Sequence, residues 1–456
     1  MTESSSQSTT SSVGRVANPE KSVQFDDVPF GRFHLHVAVS GSGGQFSDGY
    51  ILGIVGISLV TATSVLGLNA IWLGLLGAAS MLGLLVGSLF SGYLIDRIGR
   101  RPIFAFDMIV LAILSLVQFW VAAPWQLFVL RLLLGVVLGA DYAASKTLVS
   151  EFAPRQTRGR MMSLLALSWA AGYAAAYLVG YFIVSLDVGD GAWRWMLASS
   201  AVPAVAILLA RIGIPESPRW LVAKGRAQEA TAILQVKLGS HVTIGADAPG
   251  RAKENGNTFR RLFQPPLRRR TILICVFYAC HIMPYFALST FSPRILKALG
   301  VSDPYFGGAI YNLLLLAGAV VGMLVIDRIA RRSFLVGSFA ASAVLLFPLS
   351  VLNLPTSVTI ALFAVLAFAL SARDTLAFIY PQELFPTDLR GTGVGTAVAA
   401  SRVGASISTF LLPVVSEFLG IHVAMLACVV VLVLGGGACY FYAPETGKSR
   451  LGATNE

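Results

Sequence analysis

The sequence predicts an all-α membrane protein, with twelve transmembrane helices arranged as two six-helix bundles. Three observations predict it. The 456-residue chain is 55% hydrophobic and only 12% charged, with a mean hydropathy of +0.73, whereas a water-soluble domain carries about 25% charged residues. Twelve apolar stretches are long enough to cross a bilayer, which takes roughly 20 residues for a ~30 Å hydrocarbon core. Three short motifs also recur at nearly one spacing.

The spans fall near 33–60, 68–95, 102–123, 125–153, 160–186 and 194–213, then 270–296, 305–330, 333–352, 357–382, 392–419 and 421–443. Lipid offers no hydrogen-bonding partner, so each span satisfies its own backbone as a helix. Basic clusters separate them on one side: Arg97, Arg100 and Arg101; Arg155, Arg158 and Arg160; Arg328, Arg331 and Arg332; and eleven more Lys/Arg within 214–270. The opposite loops, near 61–67, 122–124, 187–193 and 353–356, carry none. Basic loops stay in the cytoplasm, which puts both termini there, in a cell (inner) membrane. The net charge of +11 belongs to these loops, so no nucleic-acid surface is expected.

The expected divisions follow. Residues 1–30 read as a disordered cytoplasmic tail without a signal peptide. Residues 31–213 form the first bundle. Residues 214–269 form a linker with short surface helices, such as Arg226–Leu238. Residues 270–443 form the second bundle, and 444–456 a cytoplasmic tail. Cys275, Cys280, Cys428 and Cys439 sit inside apolar spans and read as small hydrophobes. No metal cluster, phosphate loop or nucleophile–base pattern stands out. No cofactor is expected, nor an enzyme.

The repeat has three parts. "GSLFSGYLIDRIGRR" begins at Gly87 and "GAVVGMLVIDRIARR" at Gly318, which places Asp96 and Asp327 231 residues apart. "EFAPRQTRG" at Glu151 and "ELFPTDLRG" at Glu383 lie 232 apart; "PESPR" at Pro215 and "PETGK" at Pro444 lie 229 apart. One spacing for three motifs implies duplication of a six-helix unit.

On Gly92-x-Leu94-x-Asp96-Arg97-x-Gly99-Arg100-Arg101 and its copy at 323–332, the chain resembles the major facilitator superfamily. "PESPRWL" at 215–221 and the Glu151…Arg158 and Glu383…Arg390 motifs resemble the sugar-porter group and its relatives. The resemblance covers residues 33 to 450. It implies a secondary transporter, acting as a monomer on a small molecule between its halves. It also implies conformational gating by Asp96, Arg97, Arg100, Arg101, Glu151, Arg158, Asp327, Arg328, Glu383 and Arg390.

Two sugar-porter glutamine positions are missing: helix seven reads "CVFYACHIMPYF" and helix five "SWAAGYAAAYLVG". The nearer resemblance is to metabolite:proton symporters and organic anion transporters. Charges inside a membrane are costly and usually functional. Helix one carries Asp48 in "FSDGY", with Ile51 where such symporters show a second aspartate. Helix four carries Arg131, Asp141 and Ser145, near one helical stripe. By resemblance Arg131 pairs with a helix-one aspartate, and Asp48 or Asp141 handles the proton; a static ion pair between helices one and four is the alternative.

Helix eleven carries Arg402 in "SRVGAS", which resembles the anion-binding Ala-Arg-Val-Gly of organic anion transporters. Its planar fork suits a carboxylate; pairing with Asp374 is the alternative. His281, Tyr285, Tyr311, Asn312, Trp169, Tyr173 and Asp374 are further candidates for a pocket that accepts a ring, with core packing as the alternative for the aromatics. The expected function is proton-coupled uptake of a small organic anion, an aromatic or other monocarboxylate. Efflux or facilitated passage of a neutral or cationic molecule is the alternative.

Overall fold

The computed structural model describes residues 23–240, 242–243, 258–325, 328–386 and 389–445, apart from the side chains of 258, 375, 378, 379 and 382. Asp327, most of the expected N-terminal tail and all but two residues of the C-terminal one lie outside the described residues.

Twelve helices are long and apolar enough to cross a membrane. They are α1 (Arg32–Leu66), α2 (Ala70–Ile98), α3 (Arg100–Val117), α4 (Pro124–Phe152), α5 (Arg158–Ser185) and α6 (Gly189–Ala210). The second set is α7 (Leu267–Thr290), α8 (Pro304–Val325), α9 (Arg331–Val351), α10 (Thr356–Leu384), α11 (Arg390–Phe418) and α12 (Ile421–Tyr442). Local chemistry sets the ends. Gly67 closes α1 at φ 60°, and the Asn69 side chain accepts the Trp72 N–H at 2.9 Å to start α2. Pro124 opens α4 where no N–H is needed.

Two boundaries depart from expectation. Helix α1 runs on through 61–66, where Thr63 returns its hydroxyl to the Leu59 carbonyl at 2.6 Å. The seventh span stops at Thr290 and a separate short helix, Ser292–Ala298, follows. Pro293 lacks the N–H that would continue α7.

The duplication reappears in three dimensions. In each half the second and fourth helices pack along each other, as do the first and fifth and the third and sixth. The halves meet through α2 against α11, α5 against α8 and α1 against α7. Their described hydrogen bonds lie toward the Lys/Arg-poor end. Tyr177 donates to the Ser289 carbonyl at 2.6 Å, and the Tyr173 hydroxyl meets Ser289 Oγ at 3.1 Å. Gly56 allows this approach, since a Cβ there would sit 1.9 Å from the Thr290 carbonyl oxygen.

The linker contains helices Pro218–Ala223, Ala227–Leu238 and Thr258–Leu262. The polar tail expected over 1–30 ends sooner than the sequence suggested. Val23–Gln24 pairs in parallel with Val242–Thr243, and Phe25 packs edge-on against Phe152. Asp26 joins Arg158 (3.1 Å) and Arg219. One aromatic and one aspartate anchor a segment whose composition alone reads as disordered.

Candidate functional site

At the basic end of the first half, α2 runs into α3 through a four-sided charge cluster. Arg100 lies 3.1 Å from Glu151 and 3.5 Å from Asp96. Glu216 caps α3, accepting the backbone N–H of Arg100 (3.0 Å) and of Arg101 (3.1 Å). The second half repeats the arrangement. Glu445 accepts the N–H of Arg331 (2.8 Å) and Arg332 (3.0 Å), and Arg331 lies 3.7 Å from Glu383. A carboxylate at a helix N-terminus satisfies orphan donors and complements the helix dipole.

The other expected gating residues sit differently. Arg97 turns outward to the Tyr93 hydroxyl at 3.2 Å, and the Arg101 contact to Glu216 comes from its backbone. Arg158 serves Asp26. Arg390 is half-buried with no partner for its Nε, and Arg328 is exposed.

Deeper in the same half, four helices converge on Arg211, just past the end of α6. Its Nη1 donates to Asp107 Oδ1 (2.7 Å) and the Phe104 carbonyl (2.7 Å); its Nη2 donates to Asp141 Oδ1 (2.7 Å) and reaches Ser145 Oγ (3.3 Å). The guanidinium also stacks 3.6 Å from the Phe104 ring centroid. Gly44 of α1 makes room: a Cβ there would lie 2.1 Å from Arg211 Nη2 and 2.7 Å from Asp141 Oδ2. Asp48, one helical turn on, points the same way and accepts from Gln45 at 3.2 Å. All four charged groups are at most 5% exposed.

This corrects the expected pairing of Arg131 with the helix-one aspartate, Asp48. Arg131 does not reach a carboxylate among the described residues. Its Nη2 donates to the Ile51 carbonyl at 2.8 Å, and Nε and Nη1 are buried without partners. The arginine is aimed at the residue where an aspartate is replaced by isoleucine. The cation that serves the α4 carboxylate comes instead from α6.

Between the halves lies a run of rings. Trp169 of α5 stands 6.4 Å from Tyr285 and 6.0 Å from Phe286, both on α7, and 5.4 Å from Tyr173. His281 lies 6.3 Å from Tyr285. Arg373 Nε donates to His281 Nδ1 at 2.9 Å, so Nδ1 must accept and Nε2 carries the hydrogen. Nε2 then donates to Asp374 Oδ1 at 2.9 Å. Asp374 is therefore engaged with His281, not with Arg402. Its side chain is 31% exposed, whereas His281 is enclosed.

Arg402 lies across from α4, its guanidinium 5.4 Å from the Tyr142 ring centroid, with Lys146 on that ring at 3.6 Å. Arg402 has no carboxylate partner among the described residues. Its Nε is buried without a partner, and the residue as a whole is buried. Tyr311 and Asn312 are buried on α8, which packs against α5 of the first half. The Tyr311 ring lies tilted against Phe363 with centroids 4.4 Å apart, and Asn312 donates to the Gly308 carbonyl at 2.8 Å, leaving Oδ1 unpartnered.

Sequence reasoning missed Asp107, Arg211 and the two capping glutamates. Asp107 had a signal, a carboxylate inside a span. Arg211 had little, because an arginine at a span's end reads as a loop charge.

Twelve duplicated helices around a charged interior define a major facilitator transporter, a membrane protein and not an enzyme. Residues 22–456 match the sugar (and other) transporter family, and the chain belongs to it. It is 38% identical over 424 residues to the Escherichia coli inner membrane metabolite transport protein YgcS, covering 93% of this chain and 94% of that protein. It is 26% identical over 387 residues to the niacin transporter NiaP of Acinetobacter baylyi, covering 84% and 87%. The E. coli xylose transporter XylE, in a partially occluded inward-open conformation, superposes with a TM-score of 0.78 at 20% identity, covering 92% of this chain and 100% of that one.

Proposed function

We propose that the protein takes up a small organic anion, an aromatic or other monocarboxylate, together with protons, by alternating access. The observation that carries this reading is Arg402, a buried guanidinium held between the halves with an unpartnered Nε and no carboxylate partner among the described residues. A buried cation calls for an anion, and arginine grips a carboxylate through two parallel hydrogen bonds. Trp169, Tyr173 and Tyr285, mutually tilted rings between the halves, are aromatic surface that a ring could pack on. Niacin, the substrate named for one relative, is an aromatic monocarboxylate. The carboxylates of α1 and α4 supply the proton sites. The basic face is the cytoplasmic one, and the paired clusters around Arg100 and Arg331 act as latches that form and break as the halves rock.

A second reading, transport of a neutral hydroxylated metabolite, is favoured by one feature: Asp374, Asn312 Oδ1 and the Tyr311 hydroxyl offer hydrogen-bonding groups beside the rings. A thermal-shift series separates the two. Nicotinate and benzoate should raise the unfolding midpoint of purified protein, while xylose and glucose leave it in place. Arg402→Ala should weaken anion binding at least ~30-fold, about 2 kcal/mol. Unchanged anion affinity in that variant would remove the carboxylate role.

A further inference from the structure

Asp107 and Arg211 have no part in anion capture, yet they complete a charge cluster in which every member is buried. Two carboxylates, Asp107 of α3 and Asp141 of α4, bond one guanidinium, Arg211, and a third, Asp48 of α1, lies one helical turn beyond Gly44, which packs against it. The other ionisable groups near the cluster are Lys146 of α4, 3.6 Å from the Tyr142 ring centroid, and His36 of α1, bonded to the Ala210 carbonyl at 2.7 Å. Helix α5, packed along α1, turns its Tyr173 and Tyr177 to Ser289 instead. Even with Lys146 counted, one negative charge stays unbalanced. A dehydrated interior does not hold such a charge; the group takes a proton instead. Each carboxylate also keeps one buried oxygen without a partner: Asp48 Oδ1, Asp107 Oδ2 and Asp141 Oδ2.

We infer that Asp48, Asp107, Asp141 and Arg211 form the buried proton-binding site of this transporter, with the end of α6 as its moving part. The inference rests on the proton-coupled reading above and assigns that reading a place. With a proton on Asp107 or Asp141, Arg211 loses one of its two anchoring charges and its hold on α3 or α4 loosens. With both ionised it clamps α3, α4 and the Gly44 face of α1 together. Five residues on, Glu216 caps α3 beside the Arg100 latch. Proton occupancy thus reaches the gate along one short covalent path.

Infrared titration of the purified protein in lipid reads the site without any substrate. The wild type should show a carboxylic-acid C=O band that titrates between mildly acid and alkaline pH. Asp107→Asn and Asp141→Asn should each diminish it or shift its midpoint by at least ~1 pH unit, the size of one strong charge contact. Ser145→Ala, which removes only the 2.8 Å hydrogen bond to Asp141, should shift the midpoint in a variant that keeps every charge. A wild type without a titrating band overturns the inference, as does a band indifferent to all three variants. Uptake by the wild type that ignores a pH gradient, with the band present, would sink the coupled reading and leave the proton site standing.

Discussion

A guanidinium is placed by what answers it, and three arginines of this chain receive three different answers. Arg211 has two aspartates, Arg402 has an aromatic ring and an unpartnered Nε, and Arg131 has one backbone carbonyl. Arg131 is 1% exposed with two nitrogens unpartnered, a burial that costs free energy. Arg131→Met should therefore raise the unfolding midpoint, by the equivalent of about 1–3 kcal/mol for the polar groups relieved. A drop of that size would show that Arg131 has an ionic role at rest. At this scale the sequence was legible wherever a charge stood alone in a span, as with Asp48, Asp141 and Arg402. It was silent on pairing. Arg211 lies 104 residues from Asp107, and spacing along the chain says nothing about a bond closed by four converging helices.

Among the elements, the helix starts of α3 and α9 show how duplication preserves local geometry in detail. Glu216 and Glu445, 229 residues apart, cap Arg100–Arg101 and Arg331–Arg332 in the same two-donor manner. Glu216→Ala and Glu445→Ala should each cost about 1–3 kcal/mol, the penalty for orphaned donors with a charged partner removed. The two caps share no described partner, so the double variant should be nearly additive in thermal unfolding. Strong coupling would mean the two latches move as one. The repeat of "PES" and "PET" was visible in the sequence, but its use as a cap was not, because the capped helix lies far upstream. Span existence was equally visible; the break after Thr290 was not, since Pro293 falls inside an apolar run.

The whole molecule is closed at its Lys/Arg-poor end, where α1 and α7 meet over Gly56. Gly56→Leu should force that end apart. Spin labels on Ser64 and Lys297, both exposed near this seal, should report a longer and broader distance than in the unsubstituted background. An unchanged distance would mean the seal is carried elsewhere, such as by α2 against α11. Two similar bundles were readable from three motifs at one offset. The division of labour between them is subtler. The first half bonds Asp107 and Asp141 to Arg211 with Asp48 close by; the second sets Arg373, His281 and Asp374 in line and carries Arg402 on α11. On the proposed reading, that inequality gives proton holding to one bundle and anion holding to the other. The most direct test is accumulation of radiolabelled nicotinate and benzoate in proteoliposomes under an imposed proton gradient, with Arg402→Ala in parallel. The account predicts gradient-driven accumulation that a protonophore abolishes and that the variant lacks. Uptake indifferent to the gradient, or equal in the variant, would contradict it.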